Sequence, residues 1–489
     1  MSMKAVKFGK RILAWLLTIA GCFVAVIATI ILVRGFDARR MPDLKIWHTV
    51  RLSPEFKASD MKPGFTFEDY LKREDRLFED LKVSVDQRIS KEDQQKFNRY
   101  YPESVCYPDR QEKNWNRTVE LHPEHPKGGV LLLHGLSDSP YSMRALAHIF
   151  YQQGYYVLVP RLPGHGTIPA MLKVPTWKDW VAAADLAARH VRSVIGPDAP
   201  FFLGGYSNGG LIATYYTLNS VDDESKIKPQ KLFLFSPAIG ITRFVAFSGW
   251  HRVLSFIPYF QKIAWESIEP EYDPFKYNSF PKIAGHHLYQ LIRLTQKKIG
   301  QLKNKGTLER LPPIQAFSSV VDSTVLAPSL VTHLYNQLKP NGHELVLFNV
   351  NRFAALGPFI KDRHDAFLSS LKGETGLPYA WTLVTNQTPD TLRVVAETRL
   401  AGSEAITRES LDIEWPRGIY SLSHVAIPFS PDDPLYGDRE DLKKKGFFVL
   451  GMIEPRGEKG VLEVPVDQFM RLRYNPFFSY MERRIVESL

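Results

Sequence analysis

The chain has 489 residues, 44% of them hydrophobic and 23% charged, with no low-complexity tract; this excludes a largely disordered protein and leaves room for a large core. The formal net charge is +10, yet residues 1–51 hold nine Lys/Arg against Asp37 and Asp43, a net +7. The remainder carries only +3, which excludes the broad basic face expected of a nucleic-acid binder.

The basic residues bracket residues 12–33, which contain no charge. As a helix rising ~1.5 Å per residue, this stretch would be ~33 Å long, against a hydrocarbon core of ~30 Å. The sequence therefore predicts a basic tail over 1–11 and a transmembrane anchor over 12–33. Two rivals stand beside it. "IAGC", ending at Cys22, is similar to a bacterial lipobox, although eleven uncharged residues follow it. A cleaved signal peptide would have a shorter apolar region and a small-residue cleavage site. Lys/Arg number four on each flank, so charge barely sets the orientation; the short basic tail favours N-in, with the rest of the chain exported. Cys22 and Cys106 are the only cysteines, and with Cys22 in a bilayer no intrachain disulfide could form.

Residues 34–115 are polar and mixed. Thr66, followed by Phe67, Tyr70, Leu71, Leu77, Phe78 and Leu81, predicts an N-capped amphipathic helix, either packed on the next domain or serving as a stalk. From Val119 the pattern alternates strand and helix. "GGVLLLHG" reads as a strand, 141–153 as a helix stopped by Gly154, "YYVLVPRL" as a strand and "TWKDWVAAADLAARHVRSVIG" as a helix. "PFFLGGYS", "NGGLIATYYTLN" and "KLFLFSPAIG" continue as strand, helix and strand. Short apolar strands alternating with helices predict a mostly parallel sheet covered on both faces, with 116–240 as its first part. The rhythm breaks over 241–311, which is rich in aromatics, Pro and Lys and has no clear strand. It resumes over 312–351 with "IQAFSSVVD", a helix near 328–338 and "HELVLFNV". Residues 352–415 form an insertion with extra strands, "YAWTLVTNQ" and "TLRVVAETR". Residues 416–489 close the core, with "RGIYSLSHVAIPF" as a strand leading to a loop and a helix over 466–489.

In "GGYSNGG" a strand ends at Gly204 and a helix begins just after Ser207. A serine on that turn exposes its hydroxyl above the sheet, and the N–H of Asn208 sits at a helix N-terminus, aimed at a developing oxyanion. An ordinary strand–turn–helix with small residues is the plainer reading. "LLLHGLSDSP" ends an earlier strand; in an acyl-transfer enzyme its Leu136 N–H would be the second oxyanion donor. His134 here and His165 in "RLPGHGTIP" read as structural. His286 and His287 are adjacent, without partners at helical spacing, and no metal-ligand cluster stands out.

"LLLHGLSDSP", "RLPGHG", "GGYSNGG" and "SSVVDSTV", in this order, resemble the α/β-hydrolase superfamily, in particular its carboxylesterase and monoglyceride-lipase (lysophospholipase)-like branch. The resemblance covers roughly 119–350 and 416–440. It implies an α/β-hydrolase fold, here with a helical lid insertion at 241–311 and the single N-terminal transmembrane helix. It also implies the chain order nucleophile, acid, base: Ser207, Asp322 and His424. Asp322 could instead cap the next helix. His424 follows Asp322 at an unusually long distance, which the 352–415 insertion explains, and His364 competes for the same role. The expected activity is a membrane-anchored serine hydrolase cleaving carboxylic esters, with acyl-lipid esters as a candidate class given the aromatic lid. No cofactor, metal or nucleic acid is expected; the partners are an ester or lipid-like small molecule and the bilayer. A serine aminopeptidase, a thioesterase or an inactive membrane-tethered interaction protein on the same scaffold remain alternatives.

Overall fold

The computed structural model describes residues 15–26, 29, 35–36, 38–240, 258–320, 325–353, 362–417, 419, 422–446, 448–451 and 472–489. Within the stretch expected to be an anchor, the continuous described helix is 15–26. No helix among the described residues is long and apolar enough to cross a membrane. The expected transmembrane helix, the bilayer as a partner through 12–33 and the single-pass membrane location are corrected accordingly.

Helix α1 (Phe67–Ser84) is closed by a capping box, in which the Thr66 side chain accepts from the Asp69 N–H while Asp69 accepts from the Thr66 N–H. It buries Phe67, Tyr70, Glu74, Leu77 and Phe78, so it packs on the body of the protein and is not a stalk. Its attachment is ionic as well as apolar. Arg161, wholly buried, is held by Glu74 at 3.2 Å and, through two hydrogen bonds of 3.0 Å, by Glu55. Burial alone would raise the Glu55 carboxyl; Arg161 and the N–H groups of Gly164 and Phe56 outweigh it and hold Glu55 below the ordinary value.

The sheet then assembles in chain order. Strands β1 (Val119–Leu121) and β2 (Gly129–Leu133) precede α2 (Arg144–Gln152); β3 (Tyr156–Val159) precedes α3 (Trp177–Ile195); β4 (Phe201–Tyr206) runs into α4 (Asn208–Ser220). Strand β5 (Lys231–Phe235) is followed by the short antiparallel pair β6 (Trp265–Ser267) and β7 (Phe280–Pro281), then by the 24-residue helix α5 (Lys282–Lys305). Strand β8 (Ile314–Ser319), α6 (Ala327–His333) and β9 (Glu344–Phe348) continue the alternation. Helix α7 (Asp362–Gly373) leads to β10 (Ala380–Asn386), β11 (Arg393–Arg399) and β12 (Ile406–Glu414), and α8 (Phe478–Val486) ends the chain.

Ten of these strands form one sheet in the order β1-β3-β2-β4-β5-β8-β9-β10-β11-β12. It is parallel from β3 to β10 and antiparallel at β1, β11 and β12. Alternate residues point to opposite faces. Leu131, Leu133, Leu203, Leu232 and Leu234 face a core built with α3, α4 and α5. Val130, Leu132, Phe202, Phe233 and Phe235 face a second core built with α2 and α8. Two expectations shift. The closing helix begins at Phe478, just after Pro476, instead of at 466; residues 452–471 lie outside the described residues. Of the expected strand "GIYSL", residues 418, 420 and 421 lie outside the described residues, and Ile419 and Leu422 are not in a strand.

Candidate active site

Strand β4 is buried along its whole length between β2 and β5. The next residue, Ser207, is half-exposed and takes φ 52°, ψ −113°, a left-handed backbone that a serine rarely adopts. Three hydrogen bonds hold it there. Its N–H donates to Phe235 O at 3.0 Å, and its carbonyl accepts from Leu211 and Ala238 at 3.1 and 3.0 Å. The flanking glycines serve close approach. A Cβ on Gly205 would lie 2.3 Å from the Gly209 carbonyl, and one on Gly209 would lie 2.0 Å from Leu133 O. Neither glycine has positive φ; the strain belongs to the serine, and the glycines let the start of α4 press onto β2 and β4.

The loop after β2 stands beside this turn. His134 is fully buried; its Nε2 accepts from the Leu162 N–H at 2.9 Å and its Nδ1 lies 2.9 Å from Gly135 O. With both ring nitrogens so used, and with burial lowering its pKa well below the ordinary value, it is a neutral loop-holder. His165 is also buried, 3.0 Å from Pro163 O, and burial takes it down to about 4. Leu136 follows Gly135 half-exposed, and Ser137 next to it has φ 66°. Asp138 is buried, with Lys276 Nζ 2.8 Å from Oδ1; burial raises its carboxyl pKa against the pull of Lys276.

His424, half-exposed, opens a single helical turn, His424–Ala426. Its ring is stacked near the ring of Tyr206, with centroids 6.3 Å apart and planes at 27°. The imidazole therefore reaches the residue immediately before Ser207, from a loop more than two hundred positions away. Asn351, past β9, donates to Ile419 O at 2.8 Å and ties that loop to the sheet. Asp322 lies three residues beyond the end of β8 in sequence but outside the described residues. His364 lies on α7, and its side chain is likewise outside what is described. Asn208 is buried at the start of α4, where its N–H faces the end of the helix open to a ligand. Among the described residues no group of three His, Cys, Asp or Glu could hold a metal ion.

Sequence reasoning missed the partners that hold the loop after β2. Lys276 lies 138 positions from Asp138, and no local pattern marks it. The sequence likewise gives no sign that Tyr206 would carry the His424 ring.

Residues 124–276 match the family described as serine aminopeptidase, S33; this segment includes Ser207 and Leu136 but neither Asp322 nor His424. The thermostable monoacylglycerol lipase of Bacillus sp. (strain H-257) is 28% identical over 182 residues, 37% of this chain and 68% of that protein. Phospholipase YtpA of Bacillus subtilis (strain 168) is 26% identical over 119 residues, 24% of this chain and 43% of that one. The solved monoacylglycerol lipase of Paleococcus ferrophilus covers 52% of this chain and 97% of its own, at 18% identity and a TM-score of 0.36. The parallel sheet, its serine turn and the matched segment agree on an α/β-hydrolase and a serine hydrolase, similar to the monoglyceride-lipase-like branch.

Proposed function

We propose that the chain hydrolyses carboxylic esters, with acyl-lipid esters as its substrate class, through Ser207, His424 and Asp322. His424 takes the Ser207 proton as Oγ attacks the ester carbonyl; Asp322 holds the imidazole and stabilises its charged form. The N–H groups of Leu136 and Asn208 receive the oxyanion. The tetrahedral centre collapses, the alcohol leaves with the proton held by His424, and water then releases the acid from the acyl-enzyme. One oxyanion donor is worth about 3 kcal/mol of barrier.

The observation that carries this reading is the strained, half-exposed Ser207 between β4 and α4, with the His424 ring against Tyr206. The lipid part rests on the named activities of the two bacterial relatives. The matched family's description favours a second reading, cleavage of an N-terminal residue from a peptide. Such an enzyme must hold a substrate ammonium with a spare carboxylate. The carboxylates that line the cavity beside Val425 are already engaged: Asp138 by Lys276, and Asp273 by Arg473 and Tyr436. That supports the ester reading.

A fluorophosphonate probe should label the wild-type chain and leave Ser207→Ala unlabelled. A panel of p-nitrophenyl esters, monoacylglycerols and aminoacyl anilides should show turnover of the first two classes. Labelling that survives Ser207→Ala, or turnover confined to the anilides, would overturn the proposal.

A further inference from the structure

The segment from Glu271 to Ser279 lies within the 241–311 stretch, between β6 and β7. Arg473 and Tyr436 hold it at Asp273, and on another side it is held by residues upstream of the segment matched to the hydrolase family. The Arg99 N–H donates to Glu271 O at 2.9 Å, and Arg99 Nη1 donates to Lys276 O at 3.1 Å. Arg99 is itself buried and braced by Asn116, whose amide donates to Pro274 O at 2.9 Å. His48 meets Ser279 Oγ at 3.0 Å.

The other side of the same segment grips the loop after β2. The Tyr277 N–H donates to Ser137 O at 2.8 Å, at a residue with φ 66°. Lys276 Nζ reaches Asp138 Oδ1 at 2.8 Å. Both contacts fall within two residues of Leu136. A strained loop keeps its shape only where its surroundings over-determine it, and here part of that constraint comes from outside the hydrolase core.

We propose that residues 271–279 are a strap by which the N-terminal segment sets the oxyanion loop, with Lys276 as its positioning residue. The inference rests on the reading of Leu136 as an oxyanion donor. Lys276 does not touch substrate. Its ammonium fixes Asp138, Asp138 fixes the turn, and the turn aims the Leu136 N–H. Displacing a catalytic donor by about 1 Å costs on the order of a hundredfold in rate, so a loosened loop should slow acylation and leave ground-state binding alone.

The test uses the full chain, p-nitrophenyl butyrate and the fluorophosphonate probe, below the unfolding temperature of every variant. Lys276→Met should lower kcat by about tenfold to a hundredfold with KM within about twofold, and slow phosphonylation in parallel. Lys276→Arg should restore most of kcat, and Arg99→Met should act in the same direction as Lys276→Met. Lys276→Met leaves Asp138 buried without its cation; if that variant does not fold, the uncharged pair Asp138→Asn/Lys276→Met carries the test with the same expectation. A Lys276→Met chain, or the uncharged pair, with wild-type kcat and labelling rate would overturn the strap while leaving Ser207 as nucleophile. A wild-type chain that the probe does not label at Ser207 would overturn the parent reading, and the strap with it.

Discussion

Asn208 occupies the first helical position after the serine and is fully buried, and among the described residues neither polar atom of its side chain has a hydrogen-bond partner. An unsatisfied buried amide costs about 1–3 kcal/mol. Asn208→Leu keeps the size of the side chain and the backbone N–H while removing that cost. The variant should be more stable than wild type by about 1 kcal/mol or more, read as a higher urea midpoint at unchanged slope. A lower midpoint would mean that the amide is bonded in solution.

Among the elements, the sheet extension separates the two histidines proposed for the base. Strand β9 is followed by α7 and three further strands before the chain returns at His424. His424→Ala should lower kcat by about a thousandfold or more, while His364→Ala should keep turnover near wild type. The opposite pattern in p-nitrophenyl butyrate assays would move the base to α7.

The sheet was legible in the sequence because its strands are short, apolar and bounded by Gly and Pro, and the serine turn because Gly205 and Gly209 admit α4 so closely. Helix α5 was not assigned, although Leu288, Leu291, Ile292, Thr295, Ile299 and Leu302 recur at helical spacing; the aromatic and Pro-rich stretch before it masked that period. Strand β12 escaped for another reason. Five of its nine residues in a row are exposed, so it lacks the apolar alternation that marks a half-buried strand. The contacts of Lys276 and Arg99 are tertiary, and spacing along the chain carries no trace of them.

Over the whole molecule, the N-terminal segment belongs to the folding unit. His48 shows this through pH. Burial, with the charge of Lys173 adding to it, takes its imidazole down to about 3. Its Nδ1 accepts the Lys45 N–H at 2.9 Å, and a protonated ring could not. In the unfolded chain the same imidazole titrates near 6.5. The unfolded state therefore holds the extra proton between these values, and this contribution to stability is full above about pH 6.5 and is lost as pH falls toward 3. At pH 5 the loss from His48 alone should reach about 2 kcal/mol relative to pH 7.5. His48→Asn should show a shallower acid-side fall in urea stability; parallel curves for the two chains would sink this account.

Among the described residues, no strand pairs with the outer side of β12. Its residues from Ile406 to Ser410 are exposed, and unpaired amides and carbonyls along such a border invite a second copy to zip on. Arg408 pairs with Glu397, Arg483 with Glu409, and Arg393 with Glu414, so a newcomer would have to approach through a row of fixed charges. These pairs contribute little to holding the fold. Charged side chains along a sheet edge are a general device against edge-to-edge pairing.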